Sequence, residues 1–272
     1  MKATSRKRLL ISSVAMLLVA MLALGTATFA WFTTDTNATA SGLSFSTTKS
    51  SELLLSRVDL DWKDQIDYGM ANKALKPASS NNGTDWWMAI ANAKTSYEAN
   101  SAGFSAVAAT GIGDKTANSN AGPTYVFDDM LNIKNNGQAP CTGVKITMNV
   151  SGLNSEAARI AVVPCASAQT TAGTRAAITA ANFKSNIYGK TADRAWSAAK
   201  AAGAASTTTT ETGFKIAAAA NGKQFTVGTM NSGVVKSYRI LVWFEGQDQA
   251  LFDKTTDALA MPNVSFTVTG QT

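Results

Sequence analysis

The residues able to do chemistry are few, and one type is missing. The chain contains no histidine. That removes Ser-His-Asp and Cys-His catalysis, HExxH zinc hydrolysis and histidine-ligated metals together. Carboxylate, lysine and Ser–Lys chemistry remain. Two S-x-x-K strings occur, Ser46 to Lys49 and Ser197 to Lys200. Neither is accompanied by the S-D-N or K-T-G elements of penicillin-recognising enzymes, and short matches are expected by chance in a chain rich in Ser, Ala and Lys. Asp59, Asp61, Asp64 and Asp67 stand in VDLDWKDQID. Their spacing would suit calcium, but the glycine that turns a calcium loop sharply is absent; the alternative is a solvated acidic loop. Glu245 and Asp248 in WFEGQDQ offer either a carboxylate pair for glycoside hydrolysis or a strand-end turn on Gly246. The turn is the expected reading.

Two further sets of residues point to binding or bracing. Trp86 and Trp87 follow NNGTD and are either a stacking platform for sugars or the packed face of a short helix. Cys141 and Cys165 are the only cysteines. A hairpin centred on SGLNSE (151–156) sets them opposite each other, with Val144 facing Val162 and Ile146 facing Ile160. Alternation and cysteines then agree on one register. In an exported chain the pair is expected as a disulfide, worth roughly 3 kcal/mol in the chain-entropy model; two buried thiols are the alternative. Without C-x-x-C, a redox-active pair is not expected.

The start of the chain decides the compartment. MKATSRKR is basic, Leu9 to Leu24 is almost wholly apolar, and Thr28 and Ala30 form a small-x-small exit. This is the pattern of a secretory signal cut between Ala30 and Trp31. The apolar run is shorter than the ~20 residues of a spanning helix, though reading on through Phe32 lengthens it to an uncleaved anchor, the competing reading. The formal charge is +6. Residues 1–30 hold four of those charges, Lys2, Arg6, Lys7 and Arg8, and no acid, so residues 31–272 carry only +2. No basic cluster there supports a nucleic-acid partner, and membrane contact is expected only through the signal segment.

The elements that must carry these residues are strands. Period-two alternation dominates beyond residue 40. Leu43, Phe45, Leu53 and Leu55 share a parity, as do Tyr125, Phe127, Leu131 and Ile133. PNVSFTVTG alternates most regularly. In KSYRILVWFEG, Tyr238, Ile240, Val242 and Phe244 face one way and Leu241 and Trp243 the other, the pattern of a central strand buried on both faces. DWWMAIANAK (85–94) and DRAWSAAKAA (193–202) are expected as short helices, and AASTTTTETG (204–213) as a polar linker or exposed turn. The fold class is mainly β: an antiparallel, jelly-roll-like β-sandwich with short helical insertions, preceded by a signal-peptide helix. The expected division is signal peptide 1–30 and one sandwich domain over 31–272.

A signal ending in TFA, then WFTTDTNATASGLSFSTT, resembles the start of the TasA/camelysin family of bacterial exported proteins. Ala30, the aromatic pair Trp31–Phe32, Asp35 to Ala40, and Gly42–Leu43–Ser44–Phe45 fill the places of that family's start. NNGTDWW, RIAVV with NIYGKT, and YRILVWFEGQD are similar to stretches of exported proteins from gut Firmicutes. The specific likeness covers about residues 20–50. It implies a jelly-roll sandwich at the surface of a Gram-positive bacterium, assembled into surface or biofilm-matrix fibres by an N-terminal strand given to the next subunit. Trp31, Phe32, Leu43 and Phe45 are the residues of that assembly strand, and a polar segment with an aromatic tip can add to a sheet edge. Two departures stand out. The first strand runs GLSFSTTKSSELLL rather than on through Gly-Thr-Leu-Asp-Leu, and insertions at about 56–123 and 165–222 exceed a minimal domain. Metalloprotease activity, described for some camelysins, is not carried over to a chain without histidine.

The expectation is therefore a non-enzymatic exported protein without cofactor, whose partner is itself or another matrix or surface protein. The rival is a monomeric extracellular module that binds a glycan or a host protein.

Overall fold

A computed structural model describes Met16 and residues 44–48, 52–68, 70, 73–89, 104–114, 123–202, 207–251 and 258–271. Apart from Met16, the signal-like segment lies outside the described residues, as do Ala30, Trp31, Phe32 and Leu43. Contacts divide the chain into Met1–Ala38 and Thr39–Thr272, and the second unit is described here.

It is mainly β. In chain order the first strands are β1 (Ser44–Thr48), β2 (Leu53–Ser56), β3 (Gln65–Asp67), β4 (Ala74–Leu75), β5 (Trp87–Ala89) and β6 (Phe104–Ala106). Next come β7 (Ile112–Gly113), β8 (Val126–Asn135), β9 (Cys141–Ser151) and β10 (Ala158–Pro164), then helix α1 (Ala180–Ser185). After it lie β11 (Ile187–Gly189), β12 (Ala195–Ala202), β13 (Thr207–Lys215), β14 (Ala218–Ala219) and β15 (Lys223–Met230). The last are β16 (Val235–Phe244), β17 (Leu259–Ala260) and β18 (Asn263–Gln271).

Two large sheets enclose the main core. One has the order β15-β9-β18-β1-β3; the other runs β14-β11-β10-β16-β8-β2, with β7 also paired to β8. Val144, Ile146 and Met148 of β9 and Val264, Phe266 and Val268 of β18 meet Phe127, Leu131 and Ile133 of β8 and Ile240 and Val242 of β16 in one buried cluster. The alternation of β18 lands as its sequence predicts, with the three apolar residues buried and Ser265 and Thr267 partly exposed. Burying one face while wetting the other is the ordinary economy of an antiparallel sheet.

The second sheet is buried on both faces. Leu241 and Trp243 of β16, Ala161 and Val163 of β10 and Val126 of β8 join a second core with Trp86, Phe183, Trp196, Phe214 and Ile216. That core is why β16 reads apolar at every position from Ile240 to Phe244. Ala78, Trp86 and Val107 from one stretch and Phe183, Trp196, Phe214 and Ile216 from another thus pack together as an outer layer over the second sheet. Gly83 holds this layer close: its φ is +73°, and a Cβ there would meet Phe183 at 2.6 Å.

Four local expectations fail. The hairpin of residues 141–165 does not form, because β9 pairs with β15 and β18 while β10 pairs with β11 and β16 in the other sheet. SGLNSE crosses the sandwich instead of reversing within a sheet. DWWMAIANAK supplies β5, and DRAWSAAKAA supplies β12, paired with β13 through Trp196–Phe214 and Ala199–Thr210. Alanine's helix propensity yields there to cross-strand pairing over the second core. AASTTTTETG is largely strand β13 rather than a linker. Asp193 has a φ of +60° in the turn before β12.

Candidate functional site

Trp86 cannot present a face to a sugar. It is 2% exposed, with Trp243 edge-on at 5.2 Å and Phe183 at 6.1 Å between ring centroids. Trp87 is half-buried on β5 and exchanges backbone hydrogen bonds with Ser79. The sugar platform at Trp86 and Trp87 is corrected to core packing for the first and a strand position for the second.

The acidic stretch folds as a turn after β2. Asp61 N donates to Asp59 Oδ1 at 3.1 Å, Leu60 takes a φ of +59°, and Asp61 pairs with Lys63 at 2.6 Å. Asp59, Asp61 and Asp64 are exposed. Among the described residues no group of three or more carboxylate, Cys or His side chains could hold a metal ion.

The cysteines are free thiols. Cys141 is buried at the start of β9 in the first sheet, and Cys165 follows β10 in the second. The expected Cys141–Cys165 disulfide is corrected accordingly: the register that would have joined them belongs to a hairpin the chain does not make. Burial pushes the Cys165 thiol up to about 11, which leaves it a poor nucleophile at neutral pH.

The chemistry-bearing residues that do converge are buried ion pairs. Arg57 reaches Asp129 Oδ2 through Nε at 2.9 Å and Asp114 through Nη2 at 2.9 Å. Arg239 binds both oxygens of the neighbouring Asp128, at 2.7 and 2.6 Å. Asp129 also accepts from Val58 N and Met130 N. Burial lifts its carboxyl to about 7, partly offset by Arg57. The adjacent acids of FDDML were the sequence signal, for carboxylates inside a central strand need cationic partners.

Glu245 and Asp248 form a second node. The turn at Gly246 forms as expected, with Gly246 N donating to Ala78 O and Asp248 N to Glu245 O. Glu245 is fully buried and accepts from Trp243 Nε1 at 3.1 Å and Gln247 N at 3.0 Å. Burial raises its carboxyl to about 7, opposed by hydrogen bonds from Ser79 and Trp243 and by the charge of Arg159. Asp248 takes Arg159 Nη2 at 2.6 Å and is gripped through both oxygens by Arg194. Burial would raise Asp248 too, but Arg194, Ala250 N and Arg159 bring it below the ordinary carboxylate value. The guanidinium of Arg159 lies 4.3 Å from the ring centre of Trp196. ARIAVV, an arginine inside an apolar strand, was the signal for this node. Asp114, Asp128, Asp129 and Asp248 are paired with arginines, whereas Glu245 is held by Trp243, Gln247 and Ser79.

The N-terminal strand is placed by backbone pairing. β1 runs parallel to β18, Ser44 beside Ser265 through Thr48 beside Thr269. On its other side it is antiparallel to β3, Phe45 facing Ile66. It is an interior strand, and its pairing with β18 is parallel in a sheet otherwise joined antiparallel. Because Ser44 pairs with Ser265, β1 begins at the Pro262 end of β18. A cavity of about 440 Å³ opens at that end, lined by Leu153, Leu251, Leu259 and Pro262 with Asn154 and Glu156.

Among the described residues no helix is long and apolar enough to cross a membrane. No protein-family model, curated protein or solved structure matches the chain.

Proposed function

We propose that this is an exported structural protein of a bacterial surface or matrix, released by cleavage between Ala30 and Trp31, with a jelly-roll sandwich as its body. It self-associates through its N-terminal strand. The observation that carries the reading is the seat of β1 between β18 and β3. Five residues from the extreme start of the sandwich complete the sheet beside its last strand, a contact closed only across the length of the domain. Such a strand can be supplied by another copy with the same hydrogen bonds and only the connectivity changed. Residues 49–52 alone separate β1 from β2 of the opposite sheet, and short hinges favour exchange. With Phe45 already paired inside a sheet, the association is an exchange of β1 rather than its addition to an open edge.

A non-catalytic role fits Asp114, Asp128, Asp129 and Asp248, whose partners are arginines. Sedimentation of the secreted chain tests the reading. The chain beginning at Trp31 is expected to associate, and the chain beginning at Lys49, which has no β1 to give, is expected to stay monomeric. A monomeric parent protein would count against it.

A further inference from the structure

We propose that the cavity at the Pro262 end of the sandwich receives Trp31 and Phe32 of a second copy. This rests on the exchange of β1 between copies. Parallel pairing fixes which way the preceding segment leaves: upstream of Ser44, toward the end of the sheet where β18 begins. Pro262 stands three residues before Ser265, roughly 10 Å along the strand. The twelve residues from Phe32 to Ser44 span at most roughly 40 Å, ample to reach it. A donated β1 therefore delivers its own leading segment to the acceptor's cavity.

The chemistry of the two parts matches. WFTTDTNATASG opens on two aromatic residues and is otherwise small or polar, with one acid. The cavity, about 440 Å³, lies within the ~300–1,000 Å³ of pockets that take compact ligands. Leu153, Leu251, Leu259 and Pro262 give it apolar walls, and Asn154 and Glu156 offer acceptors on one side, as an indole N–H needs when buried. Glu156 is held there by Lys190 at 3.2 Å and Thr191 at 3.0 Å.

Sedimentation equilibrium on the full chain beginning at Trp31 tests this. Trp31→Ala with Phe32→Ala is expected to weaken association about tenfold or more. Ala260→Trp, which fills the cavity from its rim, is expected to do the same, with Ala250→Trp as the substitute should that variant fail to fold. Combining filling with the aromatic deletions should add little further, since both remove one contact. If the chain beginning at Lys49 no longer associates while neither the aromatic nor the cavity variants change association, the cavity inference is overturned and the strand reading stands. Loss with the aromatic variant but not with the filled cavity also overturns it. If the chain beginning at Lys49 still associates, both readings fail.

Discussion

The backbone of Phe45 lies parallel to, and in register with, that of Phe266, so the first described strand of the sandwich is bonded to the last. Any loss of β1 leaves β18 with an open side and takes from β3 its one strand partner in that sheet. Phe45→Pro removes the one backbone N–H of Phe45 from the sheet and is expected to cost about 1 kcal/mol or more. Urea unfolding measures it; a midpoint equal to that of the parent protein would mean that β1 is not an interior strand.

Removing one partner of the Asp248 node should be far more damaging than its size suggests. Arg159 and Asp248 are essentially inaccessible, at 0% and 1% side-chain exposure. Asp248→Ala leaves a buried guanidinium uncompensated, expected to cost about 3–5 kcal/mol. Denaturant titration would show a large fall in midpoint, and a change within about 0.5 kcal/mol would contradict the burial of this pair.

The pH dependence has a definite sign. Glu245 and Asp129 sit at about 7, above ordinary values of 4.5 and 3.8. A carboxyl raised on folding binds its proton more tightly in the native state. Its stabilising contribution is complete below the ordinary value and is lost as pH rises through about 7. Asp248, held low, contributes above its ordinary value and loses that contribution as pH falls through its folded value. Stability is therefore expected to rise from about pH 8 to about pH 5 and to fall in stronger acid. Glu245→Gln should flatten the rise and spare the acid limb. Thermal melts across this range check both; the same slope with and without Glu245 would rule out its part.

The cysteines provide a check on topology. Mass spectrometry after alkylation of the unfolded, unreduced protein should find two modified thiols. In the folded protein Cys165 should react slowly near neutrality, since burial lifts it to about 11. An intact intrachain disulfide would restore the discarded hairpin.

Trp86 separates a core from a sugar site. Its loss as Trp86→Ala is expected to cost about 3–5 kcal/mol, through the contacts with Trp243 and Phe183. A variant as stable as its parent, but no longer retained on a glycan column, would reverse that assignment.

How much of this was legible follows from what a period can say. β16 declared both of its faces, since Ile240 and Val242 fill one core and Leu241 and Trp243 the other. β18 declared one. The same rule could not tell that β1 and β2, continuous in parity from Phe45 to Leu55, enter different sheets, because period two carries no information about partners. It misled at Cys141 and Cys165, where two strands with matching alternation face each other across the sandwich rather than along a sheet. Ala195–Ala202 was misread for a different reason: alanine propensity is a local preference, and the Trp196–Phe214 pairing over the second core is not local. The arginine–carboxylate nodes left only a faint trace, charges at Asp128, Asp129 and Arg159 inside apolar strands, whose partners lie far off in sequence.

One measurement bears on β1 exchange most directly. Ser44 and Ser265 are register partners, so cysteines placed there can be joined wherever β1 and β18 meet. In a background of Cys141→Ser and Cys165→Ser, a Ser44→Cys chain and a Ser265→Cys chain are refolded together and oxidised. The account predicts covalent dimers containing one chain of each kind. No mixed dimer, with Ser44→Cys and Ser265→Cys crosslinking only within a single doubly substituted chain, would contradict it.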